Sequence, residues 1–328
     1  MNTMTMVPSH AELLEAFNRI KNSTYRGVSG VYSMDSGVPG PVLGITACTH
    51  GNEPSGLAVI HNIMEAVDKG SRLNVGKLLL VLNNIEATER YLGAQSETDE
   101  RLARFIDVNM NRLPADVLSL NNDTRSEVQR VRELQAIWEE FTHGLDIHST
   151  LTEMPAMIIS RSDGLPSNLL HGIPIETVLL NIENVQIGKP AFAFYGAPGT
   201  GAYVFAIEAG SHKESGSFVC AINTVTALLQ NLAMISGAPQ RSKRTYKEYY
   251  IQGSILFPNM SYCIPNPNKI KDFQLVPKGT VLGASKIGLE PILAPYDTHP
   301  IMMTNPINES GLREEVMFLS LPVTVRTI

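Results

Sequence analysis

The sequence predicts an α/β protein: a mixed, mostly parallel central sheet flanked by helices, with a small all-β C-terminal domain. Three observations carry this. Apolar runs of strand length alternate with helical patterns through the first 240 residues, the alternation that crossover connections between parallel strands impose. Beyond that point short β-like runs are separated by Gly and Pro turns. A chain of 328 residues with 43% hydrophobic content also has enough apolar surface for a substantial core.

The first strand is expected at 41–47, PVLGITA, an apolar run of strand length. Pro54 opens the helix after it, where Leu57, Ile60, Met64 and Val67 share one face. Pro is tolerated there because a first-turn N–H has no intrahelical acceptor. KLLLVLN, 77–83, is the second strand. The segment SEVQRVRELQAIWEEF, 126–141, sets Val128, Val131, Leu134, Trp138 and Phe141 at helical spacing, with Asp123 or Thr124 available as a cap. Trp138 is thereby assigned to the core. Further strands are expected at HGLDIHS (143–149), PAMIIS (155–160) and AYVFAIEAG (202–210), and GSFVCAINTVTALLQNLAMI reads as the last long helix. The change of texture places a boundary near residue 240, giving a catalytic α/β domain over 1–240 and a β-rich domain over 241–328, with runs such as FQLVPKGTVLGA and PIMMTNP.

Composition narrows the function. A formal charge of −6 without a Lys/Arg cluster disfavours nucleic acid as a partner, since that affinity depends on neutralising phosphates. No apolar run reaches membrane-spanning length, and the N-terminal stretch lacks the basic start and apolar centre of a signal peptide. The expected compartment is the cytoplasm. Cys48, Cys220 and Cys263 are widely spaced and odd in number, which argues for reduced thiols rather than a disulfide framework. A homo-oligomer is compatible with all of this.

Ligands of an open α/β sheet gather outside the carboxyl ends of its strands. The first run ends in CTHGNE, where His50 and Glu53 offer an imidazole and a carboxylate, a donor pair that suits zinc. The third ends in DIHST, where His148 lies far along the chain from Glu53. Two ligands from one loop and a distant third is a common way to build a catalytic site with an open position. Asp146, two residues earlier and on the same strand face, is placed either to accept the outer N–H of a ligating His148 or to close a loop. Glu208 interrupts the apolar YVFAIEAG, an expensive position unless the carboxylate is ion-paired or works as a general base. ARFIDVNMNRLP concentrates Arg104, Asp107, Asn109, Asn111 and Arg112 in nine residues. Such a set suits an anionic substrate, although surface ion pairing explains any one of the arginines alone.

HGNE after a strand, then RFIDVNMNR, DIHS and AIEAG, in this order and at these separations, resemble the succinylglutamate desuccinylase and aspartoacylase family, a branch of the zinc carboxypeptidase-like fold. The resemblance covers residues 40–240, and the tail resembles the smaller domain that caps the site in this family. It implies one zinc ion per chain on His50, Glu53 and His148, with Glu208 as catalytic glutamate. It also implies that Arg104 polarises the scissile carbonyl and that Asn111 and Arg112 hold a substrate carboxylate. Met110 replaces the usual Leu, a volume-conserving change. YGAPGTGAYVFAIE has no cation before Glu208, where aspartoacylases carry an arginine. The expected activity is zinc-dependent hydrolysis of the amide of a small anionic N-acyl amino acid. N-succinylglutamate is the first choice and N-acetylaspartate the second. A metallocarboxypeptidase acting on peptides and a metal-binding protein without turnover are the alternatives.

Overall fold

The computed structural model describes residues 7–119, 122–151, 153–212, 214–237, 243–265, 270–306 and 314–327. Eleven strands among them form one mixed sheet. Four parallel neighbours, Tyr203–Ser211, His143–Thr150, Val42–Ala47 and Lys77–Leu82, form one block, edged by antiparallel Val31–Asp35. Met157–Ser160 lies antiparallel to Tyr203–Ser211 and begins a second parallel block with Thr177–Leu180 and Thr245–Ile255.

The alternation along each strand sorts side chains to two faces. Leu78, Leu80 and Leu82 pack with helices His10–Lys21, Ser55–Asp68 and Ser215–Asn231, whereas Leu79 and Val81 pack with helix Ser126–Trp138. Strands buried on both faces read as continuous apolar runs, which is why KLLLVLN and AYVFAIEAG were visible in sequence. Val31–Asp35 and Thr177–Leu180, at five and four residues, carried no such signal. No described helix is long and apolar enough to cross a membrane.

The helix expected at 126–141 spans Ser126–Trp138: it begins where expected and ends three residues early, and its cap differs from expectation. Arg125 is its N-cap, and Asp123 accepts the Arg125 backbone N–H and pairs with its guanidinium. The free amide of Ser126 donates instead to Asp107, 2.8 Å away in the ARFIDVNMNRLP segment. A distant carboxylate thus does the capping, and it ties this helix to the site.

Residues 238–242, where the boundary near 240 was expected, lie outside the described residues. The next strand, Thr245–Ile255, belongs to the central sheet: it pairs with Thr177–Leu180 on one edge and with Met317–Ser320 and Thr324–Thr327 on the other. The separate antiparallel sheet is formed by Tyr262–Cys263, Val281–Ser285 and Ile292–Leu293, over its own cluster of Phe257, Tyr262 and Leu282.

Candidate metal centre

The sharp turn after Val42–Ala47 depends on local chemistry. Cys48, fully buried, takes φ +55°, a left-handed conformation uncommon for a residue with a side chain. It reverses the chain so that Thr49 and His50 fold back toward the sheet. Gly51 then packs against the backbones of Ala87 and Ala103, and a Cβ there would lie 2.3 Å from the Ala87 carbonyl carbon. Its N–H donates to the Arg104 carbonyl at 2.9 Å, joining the His50–Glu53 turn to the arginine-bearing segment.

The structure brings His50, Glu53 and His148 together: one ligand atom from each lies within 4.8 Å of the others, and all three are buried. Nδ1 of His50 lies 2.8 Å from Oε1 of Glu53, and Nδ1 of His148 lies 2.7 Å from Oε2. The Nε2 atoms point outward to oxygens: Asn109 Oδ1 at 2.9 Å for His50, and Asp146 Oδ2 at 3.0 Å for His148. Each imidazole is therefore oriented from behind with its other nitrogen aimed at a common point, an arrangement that metal-ligating histidines require.

Asp146 accepts His148 and, through Thr49, also ties down the turn after Val42–Ala47, so the contacts of both sequence readings are present. Thr46 and Thr49 donate to its other oxygen at 2.8 Å each, and Asn83 and Tyr195 extend the network. Burial opposes the Asp146 charge, but His148 and these hydroxyls hold its carboxyl below its ordinary value. Burial likewise opposes charge on Glu53, yet the imidazoles of His50 and His148 keep its carboxyl well below the usual range. Against its own burial, His148 is held well above an ordinary imidazole by Asp146 and Glu53. Burial and then the Arg104 guanidinium push His50 down.

Glu208 sits directly beside His148 in the parallel register of neighbouring strands, so both side chains leave the same face. Its Oε2 is buried without a hydrogen-bond partner among the described residues. Burial, then the Glu53 charge, raise its carboxyl to about 8. The ion-paired alternative of the sequence reading is not what this environment provides.

Arg104 donates to Glu53 Oε1 at 2.8 Å, with 37% of its side chain exposed beside the ligands. Asn111 accepts the Ala191 N–H at 2.9 Å and brings its amide nitrogen within 3.3 Å of His148 Nε2. Arg112 is differently placed: its Nε donates to Glu315 at 3.0 Å and its Nη1 to the Asn111 carbonyl and Gln186. Three residues that sequence reading did not single out complete the surroundings. Glu127, buried, accepts the backbone N–H groups of Ile106, Asp107 and Val108 at 2.6–3.1 Å and an amide N–H of Asn84. Glu314 accepts the Asn109 amide at 2.9 Å, and Glu315 accepts the Ile187 N–H as well as Arg112. The local signal for Glu127 was one carboxylate in a helix pattern; Glu314 and Glu315 lie some two hundred residues from their partners.

The family model of the succinylglutamate desuccinylase/aspartoacylase catalytic domain matches residues 39–232. No curated protein matches the sequence significantly. Among solved structures, succinylglutamate desuccinylase from Vibrio parahaemolyticus superposes with TM-score 0.66 at 16% identity, covering 93% of this chain and 87% of that one. The Vibrio cholerae succinylglutamate desuccinylase gives 0.65 at 15%, covering 94% of each. Murine aminoacylase 3 gives 0.60 at 18%, covering 88% and 97%. At these identities the structural likeness establishes the fold.

Proposed function

The chain belongs to the succinylglutamate desuccinylase/aspartoacylase family, and from that premise we propose that it hydrolyses the amide bond of a small N-acyl amino acid with one zinc ion held by His50, Glu53 and His148. The observation that carries the reading is Glu208, a buried carboxylate with an unpartnered oxygen beside three convergent ligands. The donor set fits the ion: two imidazole nitrogens and a carboxylate oxygen, backed by Asn109 and Asp146.

When bound, zinc supplies a Lewis acid that lowers the pKa of water and polarises a carbonyl. Glu208, beside the three ligands, accepts a proton from the attacking water in its ionised form and returns it to the departing amine. Arg104, partly exposed beside Glu53, donates hydrogen bonds to negative charge developing on the carbonyl oxygen in this reading. Asp146 and Asn109 keep the imidazole orientation fixed throughout. Thr46 and Thr49, both fully buried, hold Asp146 in place behind His148.

N-succinylglutamate is the first substrate to assay and N-acetylaspartate the second. The zinc-loaded protein is expected to release the free amine from at least one N-acyl amino acid in a panel of acyl and amine variants. Cleavage of short peptides with none of the panel turned over would favour a metallocarboxypeptidase. Stoichiometric zinc with no turnover of either class would leave only metal binding.

A further inference from the structure

The tail reaches the candidate metal centre through one carboxylate. Glu314, half-buried, accepts the Asn109 side-chain N–H at 2.9 Å across 205 positions of sequence. At its other end Asn109 supports a ligand: its Oδ1 lies 2.9 Å from His50 Nε2 and accepts the Asn111 backbone N–H at 2.8 Å. Asn109 is buried, so each end of its amide must find its partners within the protein. The next two residues tie the same stretch down, Glu315 to Arg112 and the Val316 N–H to the Ile255 carbonyl at 2.8 Å.

An asparagine amide can point either way, and its partners decide which. A histidine that gives Nδ1 to a metal carries its proton on Nε2, and that N–H needs an acceptor behind it. Glu53 Oε1, 2.8 Å from His50 Nδ1, draws the proton to the wrong nitrogen; Asn109, with its oxygen forward, draws it to Nε2. Turned round, Asn109 would present its NH2 group to Nε2 and reinforce the wrong choice. Glu314 opposes that turn. Burial acts against its charge, but Arg112, the Asn109 amide, Arg104 and His50 hold its carboxyl below the ordinary value. As a carboxylate it offers only acceptors, so it must face the NH2 end. The Asn111 N–H, a donor, fixes the oxygen end in the same sense.

We propose that Glu314 is a positioning residue: through Asn109 it holds His50 in the form that offers Nδ1 to the ion, and it thereby couples the docking of the tail strand Met317–Ser320 to metal affinity. This deepens the zinc reading above and rests on it. The coupling runs both ways, since a tail that favours the ligating form of His50 is itself held more firmly when the ion is bound. The link is a hydrogen bond to the Asn109 amide and not the pull of a negative charge on the ion, so a neutral acceptor in place of Glu314 preserves it.

The test uses the full chain, with zinc affinity read by competition against a chelator and the protonated nitrogen of His50 read by heteronuclear NMR of the metal-free protein. Glu314→Ala is expected to weaken zinc binding by about tenfold, the lower range for groups that orient a ligand from behind, and to lower the share of His50 that carries its proton on Nε2. Glu314→Gln, whose side-chain carbonyl can still accept the Asn109 amide, is expected to stay within about threefold of wild type. Equal losses in the two variants would mean a long-range charge effect and overturn the proposal. In an Asn109→Ala background, Glu314→Ala is expected to add less than about twofold, because both act through one link; fully additive losses overturn it too. Should Glu314→Ala not fold, hydrogen exchange in the wild type decides: zinc is expected to slow exchange of the Met317–Ser320 amides by up to about tenfold, and no slowing overturns the proposal. If the wild type binds no zinc, the metal reading fails, while the protonated nitrogen of His50 in Glu314→Ala still judges the role of Glu314.

Discussion

Glu208 shows how one residue joins sequence to chemistry. Its isolation in an apolar strand was legible because nothing in YVFAIEAG offers a counter-charge, and the structure supplies none to its Oε2 among the described residues. Replacing it with Gln keeps the shape and removes the base. Zinc content is expected to stay at one per chain while turnover falls by at least about a hundredfold; near-normal turnover would remove Glu208 from the mechanism. The same carboxyl makes a stability prediction for metal-free protein. Its unfolded value is near 4.5 and its folded value about 8, so between these the folded state holds the extra proton and stability falls as pH rises. The loss is complete above about pH 8 and is on the order of 3–5 kcal/mol. Thermal melts of Glu208→Gln should therefore exceed wild type at pH 8–9, with the gap closing toward pH 5; a pH-independent gap would refute the shift. His148→Ala should abolish most zinc binding under limiting metal, and full occupancy by metal analysis would mean that the third ligand is misassigned.

At the scale of elements, strands and helices were legible where hydrophobic period spoke clearly, as in KLLLVLN and the 126–141 pattern. What escaped was the fixing of one element by another. The segment carrying Arg104, Asn109, Asn111 and Arg112 contains only one short turn of regular helix, Met110–Arg112. Its shape is imposed by Glu127, which gathers three consecutive N–H groups, and is returned when Asp107 caps the helix on which Glu127 sits. No periodicity encodes such an exchange. Glu127→Gln swaps two acceptor oxygens for one and adds donors where N–H groups already point. The expected cost is roughly 2–4 kcal/mol of stability. Because His50, Glu53 and His148 themselves are untouched, zinc content at saturating metal should hold while kcat/KM falls at least about tenfold. Unchanged kinetics in a destabilised protein would show that the segment keeps its shape without Glu127.

At the scale of the molecule, composition conveyed the change of texture after residue 240 but could not convey that the sheet continues through it. Tyr249, Ile251, Ile301 and Phe318 are buried in the same cluster as Trp138 and Val204, so the tail completes a core that the earlier residues begin. A chain ended at Gly237 exposes the open edge of Thr177–Leu180 and that unfinished core. It is expected to lose cooperative thermal unfolding and to aggregate, whereas the full chain should melt in one calorimetric transition. A truncated chain melting within a few degrees of the full one would show instead that the two parts are separable. The pairing of Arg112 with Glu315 spans 203 positions, and this sets an order of events during synthesis. His50, Glu53, His148 and Glu208 are all made before the strand at Thr245–Ile255 exists. The buried His50–Glu53–His148 cluster and Glu208 are thus made before the tail strand that covers the open edge of Thr177–Leu180, so a nascent chain carries every group of the candidate site while its core is still unfinished.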